Sequence, residues 1–320
     1  MPAIALALAS VLIWSSLALL NSRINALPAF LSVGIALVVG GLVGLVKAKE
    51  WRVPLATFAV GVGGIFGYHA LLFAAFRLAP TLEVNLINYL WPLLIVLLSP
   101  LFIKGLRLKV RHIVAALLGL LGAALIASGG RIGLDIGGLP GYLLAAAAAF
   151  AWASYSLMTK RLPPFPTGAV GGFCLASGLL SLGLYALELA LAPGTAMPAL
   201  SGLDWLFLVL LGLGPMGGAF YFWDAALKKG DPRVIGALSY LTPLLSTLNL
   251  VVFGGKRLSP LAGSAMALIV AGAVLGSLDA IGSAFTASSP SCRESRRTSR
   301  RSPRGRIFSG WLCGRGRRRD

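Results

Sequence analysis

The sequence predicts an all-α membrane protein whose ten transmembrane helices form two inverted repeats of five helices each. Three observations lead to this prediction. The composition is 57% hydrophobic and 12% charged, whereas a soluble globule has about 25% charged residues. Ten nearly continuous apolar windows each have the length of about 20 residues that crosses a bilayer. Finally, a proline-containing heptapeptide occurs twice, once in each half of the chain.

Each apolar window is predicted to be a helix, because a spanning backbone must satisfy its own polar groups and the windows are too long for barrel strands. The windows cover roughly residues 3-20, 29-46, 55-76, 82-102, 110-128, 138-158, 168-189, 203-226, 233-253 and 260-281. The first window has no basic segment before it and no small-residue cleavage site after it. We therefore expect it to be retained as a helix.

The lysines and arginines between the windows predict the orientation. The even-numbered connections hold twelve of these residues, whereas the odd-numbered connections hold five. Cytoplasmic loops carry the excess of positive charge, so the even connections and both termini are expected to be cytoplasmic.

Residues 283-320 form a basic tail. They contain eleven arginines and two acidic residues, so this segment carries +9 of the formal charge of +18. Because it is rich in Ser, Arg, Pro and Gly and low in aliphatic residues, we expect it to be disordered. No nucleic-acid partner is expected for it. Cys174, Cys292 and Cys313 have no metal-site or disulfide spacing, and neither a metal nor a cofactor is predicted.

The repeated heptapeptide reveals a longer internal repeat. NYLWPLL at 88-94 and SYLTPLL at 239-245 lie within two segments, 75-94 and 226-245, that align at a constant offset of 151. Near the start of each half, LIWSSLALLNSRI around Trp14 aligns with FAWASYSLMTKRL around Trp152. The predicted repeats are residues 1-130 and 138-282. Five helices per repeat require the second repeat to insert upside down relative to the first.

Both halves resemble the EamA-type unit of the drug/metabolite transporter superfamily. The resemblance rests on the Pro-Leu-Leu kink of the repeated heptapeptide and on the Gly-Ala-rich last spans, LLGAALIAS from Leu120 and VAGAVLGSL from Val270. It covers roughly residues 3-281. It implies a multi-pass transporter of the bacterial inner membrane that works by alternating access. The chain departs from many members of the family in having Lys104 and Lys256 where they carry an acidic residue after the kinked span.

LINYLWPLL, from Leu86, is also similar to the aromatic amino acid exporter branch of this superfamily. That similarity implies export of aromatic amino acids or related metabolites.

Polar residues align on one face of each kinked span. Asn85, Asn88 and Tyr89 share a face with Pro92, because the helix has 3.6 residues per turn. Polar side chains are costly against lipid, so such stripes normally line a bundle interior or a water-filled path. Each proline also frees a backbone carbonyl one turn back, near Asn88 and Ser239, which a ligand could use. The alternative is that the prolines only bend the helices to fit their neighbours.

Aromatic and polar residues at mid-span depth complete the predicted site. The predicted substrate-binding residues are Trp14, Tyr68, His69, Phe73, Asn85, Asn88, Tyr89, Trp91, Pro92, Trp152, Tyr155, Ser156, Ser239, Tyr240 and Pro243. Candidate residues for ion coupling are His69, Glu83 and Asp224. For Asp224 the alternative is an ordinary helix ion pair with Lys228, four residues on. Asp204 and Ser201 are predicted to cap the start of a helix.

The predicted site suits a small amphipathic molecule that is neutral or zwitterionic, because it offers aromatic faces and polar groups without a buried lysine or arginine. No nucleotide-binding loop, hydrolase elbow or metalloenzyme motif is present, so we do not expect an enzyme. The expected partners are a small-molecule substrate and membrane lipid, and the sequence leaves the oligomeric state open. Alternatives are export of another metabolite or drug, such as a purine, by proton exchange, and a non-transporting membrane scaffold.

Overall fold

The computed structural model describes residues 1–130, 136–192, 196–253 and 260–288. These ranges contain helices, turns and loops but no β-strand, so the predicted all-α class is confirmed for them. Lys256 and the part of the basic tail from 289 onward lie outside the described residues. Met1–Gly276 form one compact unit, and a second unit begins at Ser277, of which the described part is helical to Ser288.

The helices of the first half begin and end where the apolar windows predict, to within a few residues. They are α1 (Ala3–Ser15), α2 (Leu17–Asn21), α3 (Ala29–Val43), α4 (Leu55–Leu78), α5 (Thr81–Asn88), α6 (Leu90–Phe102) and α7 (Val110–Ser128). A 3-10 helix, Gly44–Trp51, follows α3.

The second half also contains seven helices among the described residues. Its helices are α8 (Leu139–Met158), α9 (Ala169–Leu191), α10 (Gly202–Leu213), α11 (Gly218–Lys229), α12 (Pro232–Ser239), α13 (Leu241–Val252) and α14 (Pro260–Ser288). A short 3-10 helix, Ile136–Gly138, precedes α8. The side chains of Ser201 and Asp204 cap the start of α10, because each accepts a hydrogen bond from the backbone N–H of the other. The predicted cap is confirmed.

Eight helical segments among the described residues are long and apolar enough to cross a membrane. They correspond to the first eight predicted windows. The ninth window holds α12 and α13. The tenth holds α14, whose segment Pro260–Gly276 is apolar but shorter than the other eight segments. The chain is therefore a polytopic helical membrane protein, and its count of ten spans stays a prediction.

Both spans that contain the repeated heptapeptide are interrupted. The first is divided into α5 and α6 at Tyr89, and the second into α12 and α13 at Tyr240. Each interruption lies three residues before a proline, Pro92 or Pro243, which cannot donate a backbone hydrogen bond to the preceding turn. The predicted kinks are confirmed.

Helices α3 and α9 approach each other closely because small residues lie between them. A Cβ atom on Gly41 would lie 2.7 Å from the backbone N of Leu175 and 2.8 Å from its Cα, so only glycine fits without movement of the backbone. Close approach through small residues is the usual way in which helices pack in lipid.

Gly41→Ala is expected to lower the thermal midpoint of the purified protein in detergent. The new methyl group collides with the backbone of α9, and overpacking of this kind costs about 1–3 kcal/mol. Gly63→Ala is the matched control, since a Cβ on Gly63 meets nothing within 4 Å. Equal midpoints for the two variants would contradict the close contact.

Candidate functional site

Five aromatic side chains from four helices pack together inside the helix bundle, and we call them the aromatic cluster. They are Trp14 on α1, Trp91 on α6, Trp152 on α8, and Phe220 and Trp223 on α11. Ring centroids are 5.1 Å apart for Trp14 and Trp223, 5.3 Å for Trp152 and Phe220, and 6.0 Å for Trp14 and Trp152. Most of the pairs meet edge to face or tilted, as aromatic rings prefer. Trp14 is half-buried, whereas the other four rings are buried.

Three polar side chains, those of Tyr68, His69 and Asn88, lie at one side of the aromatic cluster, and we call them the polar group. The ring of Tyr68 lies 5.3 Å from that of Trp152 and 4.9 Å from that of His69. The Nδ2 atom of Asn88 donates a hydrogen bond of 3.1 Å to the hydroxyl oxygen of Tyr68. The ring of Phe73 lies 6.2 Å from His69. The structure thus brings together residues of α4, α5 and α8 that the sequence predicts for one site.

Two indole N–H groups of the aromatic cluster bond to the protein itself. Trp14 Nε1 donates to the carbonyl oxygen of Pro215 at 3.0 Å, and Trp223 Nε1 donates to Ser156 Oγ at 3.0 Å. Tyr155 packs on Trp152, with ring centroids 5.5 Å apart. Ser156 and Tyr155 therefore lie at the predicted site as supports of the indole rings.

Ser239 and Tyr240, predicted from the second kinked span, are not members of the aromatic cluster. Ser239 is buried, and its hydroxyl donates to Ile235 O of its own helix at 2.9 Å. Tyr240 is also buried, and its hydroxyl donates to the backbone carbonyl of Tyr89 at 3.1 Å. The kink of the first span thus presents a carbonyl to Tyr240 of the second span.

The remaining predicted residues have mixed surroundings. Pro92 and Pro243 are buried, whereas Asn85 and Tyr89 are half-buried. The carbonyl oxygen of Pro92 lies 3.1 Å from the position that a Cβ on Gly236 would take, so the two kinked spans are in contact there. The binding roles of these residues stay predictions.

Phe220 and Trp223 are members of the aromatic cluster that were not among the predicted site residues. Their spacing of three residues in FYFW, 220-223, places both on one face of α11. That spacing is the signal that could have identified them.

Asp224 forms the expected ion pair with Lys228. Its Oδ2 atom lies 2.7 Å from Lys228 Nζ and accepts a second hydrogen bond, of 2.6 Å, from Thr167 Oγ1. The side chain is 2% exposed, and its Oδ1 atom has no hydrogen-bond partner among the described residues. Lys228 Nζ also lies 3.5 Å from the ring centroid of Phe165. This network connects α11 to the segment that precedes α9.

The other candidate coupling residue, Glu83, is half-buried at the start of α5. Its Oε2 atom is buried and has no hydrogen-bond partner within the described ranges. The described residues contain no group of three or more His, Cys, Asp and Glu side chains that could bind a metal ion.

Comparisons with known proteins agree with these features. A model of the EamA-like transporter family matches residues 1–128 and 139–278. The aromatic amino acid exporter YddG of Ancylobacter novellus is 44% identical over 278 residues, which cover 84% of this chain and 94% of the relative. Protein PecM of Dickeya dadantii is 31% identical over 247 residues, or 75% of this chain and 76% of PecM. A solved crystal structure with 42% identity superimposes with a TM-score of 0.80 and covers 86% of this chain and 96% of that one.

Lys228→Met is expected to destabilise the protein by about 3 kcal/mol, the lower end of the range for breaking a buried ion pair, because Lys228 is partly exposed. The substitution leaves the carboxylate of Asp224 buried without its cation. The double variant Asp224→Asn/Lys228→Met removes that charge and should recover most of the loss. The measurement is the thermal midpoint of the purified variants in detergent. A double variant as unstable as the sum of both single variants would contradict the coupling.

Tyr240→Phe is expected to destabilise the protein by about 1 kcal/mol, because it removes one hydrogen bond between buried groups. Tyr89→Phe is the matched control at the equivalent position, since the hydroxyl of Tyr89 makes no hydrogen bond with the described residues. Thermal midpoints of the two variants provide the measurement. A larger loss of stability for Tyr89→Phe than for Tyr240→Phe would contradict a hydrogen bond donated by the Tyr240 hydroxyl to the Tyr89 carbonyl.

Proposed function

The chain belongs to the EamA-like transporter family, and on this premise we propose that it exports aromatic amino acids across the membrane. The observation that carries the proposal is the aromatic cluster with the polar group of Tyr68, His69 and Asn88 beside it. Aromatic faces suit the ring of an aromatic amino acid, and uncharged polar groups suit its ammonium and carboxylate. The name of the 44% identical relative, aromatic amino acid exporter, supports the same cargo.

We further propose that transport proceeds by alternating access between two inverted halves, residues 1-130 and 138-282. The family model matches the chain once in each half, which supports the division. The helix contacts are also reciprocal. Helix α1 packs against α11, and their counterparts α8 and α4 pack against each other. Such reciprocal contacts are expected when a two-fold axis relates two units.

Two contacts between α7 and α14 are also reciprocal, because each involves the residues that are equivalent to those of the other. A Cβ on Gly122 would lie 2.6 Å from the carbonyl oxygen of Ala265, and a Cβ on Gly272 would lie 2.6 Å from that of Ala115. In the alignment of the last spans, Gly122 is equivalent to Gly272 and Ala115 to Ala265. The two contacts are therefore the same contact seen from each half.

Three pairs of equivalent residues even contact each other. The ring centroids of Trp14 and Trp152 are 6.0 Å apart, and those of His69 and Phe220 are 6.4 Å apart. In the third pair, the hydroxyl of Tyr240 bonds to the carbonyl of Tyr89. A residue can contact its own counterpart only near the axis that relates the halves. These pairs support a substrate site on the axis, where binding sites of inverted-repeat transporters lie.

The proposed location is the bacterial inner membrane with both termini in the cytoplasm. The excess of lysine and arginine in the even-numbered connections supports this orientation. The basic tail from residue 283 would then lie on the cytoplasmic side. His69, Glu83 and Asp224 stay candidates for ion coupling, and a dependence of flux on the pH gradient would identify a proton as the coupling ion.

Counterflow of labelled tryptophan and phenylalanine into proteoliposomes tests the proposed function. We expect uptake into liposomes loaded with unlabelled substrate. Trp14→Ala, Asn88→Ala and Tyr89→Ala should each lower the initial rate about tenfold or more, which corresponds to the loss of about 1.4 kcal/mol of binding. Trp205→Ala is the matched control, because Trp205 is 48% exposed and lies at the start of α10 outside the site.

Absence of flux for every aromatic amino acid, with protein that remains monodisperse, would contradict the proposed cargo. Rates unchanged in all three variants would contradict the site. In the second case, flux of the amino acids themselves would still support the exporter class.

A further inference from the structure

One ring nitrogen of His69, the Nε2 atom, is a hydrogen-bond acceptor that has no partner among the described residues. The Nδ1 atom of His69 lies 2.7 Å from the carbonyl oxygen of Ile65, one turn back on α4. A carbonyl oxygen can only accept, so Nδ1 carries the proton, and Nε2 of the neutral ring has a free lone pair. Nε2 makes no hydrogen bond with the described residues, although the side chain as a whole is 5% exposed. For the neutral ring, the bond to Ile65 thus selects the tautomer with its proton on Nδ1 and leaves Nε2 as an unpaired acceptor.

Asn88 presents a second unused acceptor, and Tyr68 connects this residue to His69. The Nδ2 atom of Asn88 donates to the Tyr68 hydroxyl, and Tyr68 is the neighbour of His69 in the sequence. The Oδ1 atom of Asn88 is buried and has no partner among the described residues. A buried acceptor without a donor is costly, and a bound donor group would remove that cost.

Aromatic faces around these two acceptors also favour positive charge. The ring of Trp152 lies 5.3 Å from both Tyr68 and Phe220, and His69 lies 6.4 Å from Phe220. The faces of such rings carry negative potential and attract an ammonium group, most strongly when water is excluded. The two acceptors and the ring faces therefore both favour binding of an ammonium group.

The surroundings offer less to a carboxylate. The N–H groups of Trp14 and Trp223 bond to the protein. In these surroundings, the donors without a partner among the described residues are uncharged, and they include the N–H groups of Trp91 and Trp152 and the hydroxyl of Tyr89. The described cation–ring contacts are those of Arg77 with Phe30 and Lys228 with Phe165, outside the aromatic cluster. A carboxylate would thus lack a cationic partner in the cluster.

We propose that the site recognises the ammonium group of its substrate through His69 Nε2 and Asn88 Oδ1, and that aromatic amines without a carboxylate are therefore also substrates. This inference rests on the proposed export of aromatic amino acids and extends it to tryptamine-like and phenethylamine-like molecules. Aromatic acids that lack the amine are excluded from the site.

Displacement of labelled tryptophan from the full-length protein in detergent tests the inference without interference from membrane permeation. The competitors are tryptamine, which has the indole and the amine, and indole-3-propionate, which has the indole and the carboxylate. We expect tryptamine to displace tryptophan at a concentration within about tenfold of that of unlabelled tryptophan. Indole-3-propionate should need about 100-fold more, the effect expected from losing a charged hydrogen-bonding group.

Variants identify the atoms involved. Asn88→Leu and His69→Phe should weaken tryptamine binding about tenfold or more, because each removes one acceptor. Asn88→Asp retains an acceptor at the same position and should bind tryptamine at least as well as the unsubstituted protein. Trp152→Phe removes an indole N–H and should change the affinities for tryptophan and tryptamine by the same factor, so that their ratio is unchanged.

Displacement by indole-3-propionate but not by tryptamine would overturn the inference and leave the proposed function intact. Loss of tryptophan binding in Asn88→Asp would also overturn it, because a donor at this position would then be recognising the carboxylate. If the protein binds and transports no aromatic amino acid, the proposed function and the inference both fail. The comparison of competitors on the unsubstituted protein decides the question even if a variant does not fold.

Discussion

The structure depends on contacts inside the helix bundle between residues that the internal sequence alignment pairs with each other. Trp14 contacts Trp152, and Tyr240 bonds to the carbonyl of Tyr89. In a hydrocarbon environment, helices gain little from burying apolar surface, so close packing and internal hydrogen bonds must hold them together. Small residues such as Gly41 and Gly122 supply the packing. The first heptapeptide span supplies a backbone acceptor, the carbonyl of Tyr89, to the hydroxyl of Tyr240 on the second span.

Beside these contacts lie side-chain atoms without hydrogen-bond partners that a substrate could bind. A carbonyl at the kink is already occupied by Tyr240, so the kink itself contributes a connection between the halves. The unused atoms are instead side-chain acceptors of His69 and Asn88 beside the aromatic cluster. The unpaired acceptors of His69 and Asn88 suit the ammonium group of an amine. Because the groups that hold the halves together lie beside those proposed to bind substrate, a bound substrate can influence how the halves meet.

Much of the fold could be predicted from the sequence, because span length and repeat offset are properties of the chain alone. The helix interruptions at Tyr89 and Tyr240 follow from Pro92 and Pro243, and the ion pair of Asp224 follows from the position of Lys228. Side-chain partners were less predictable. The alignment treats Ser239 as the equivalent of Asn88, yet the Ser239 hydroxyl bonds within its own helix while Asn88 reaches Tyr68. The alignment pairs Tyr89 with Tyr240 but cannot decide which of the two tyrosines donates to the other. The spacing in FYFW places Phe220 and Trp223 on one face of α11, but only the packing of α11 beside α1 shows that this face contacts Trp14.

The most direct measurement is a structure of the protein determined with L-tryptophan bound. This account predicts that the substrate indole contacts the rings of Trp14 and Trp152. It also predicts that the ammonium nitrogen lies about 2.7–3.2 Å from His69 Nε2 and Asn88 Oδ1. Tryptophan bound away from the contacts between equivalent residues, or with its carboxylate against His69 and Asn88, would contradict the central claim that the two halves meet at an amine-recognising site.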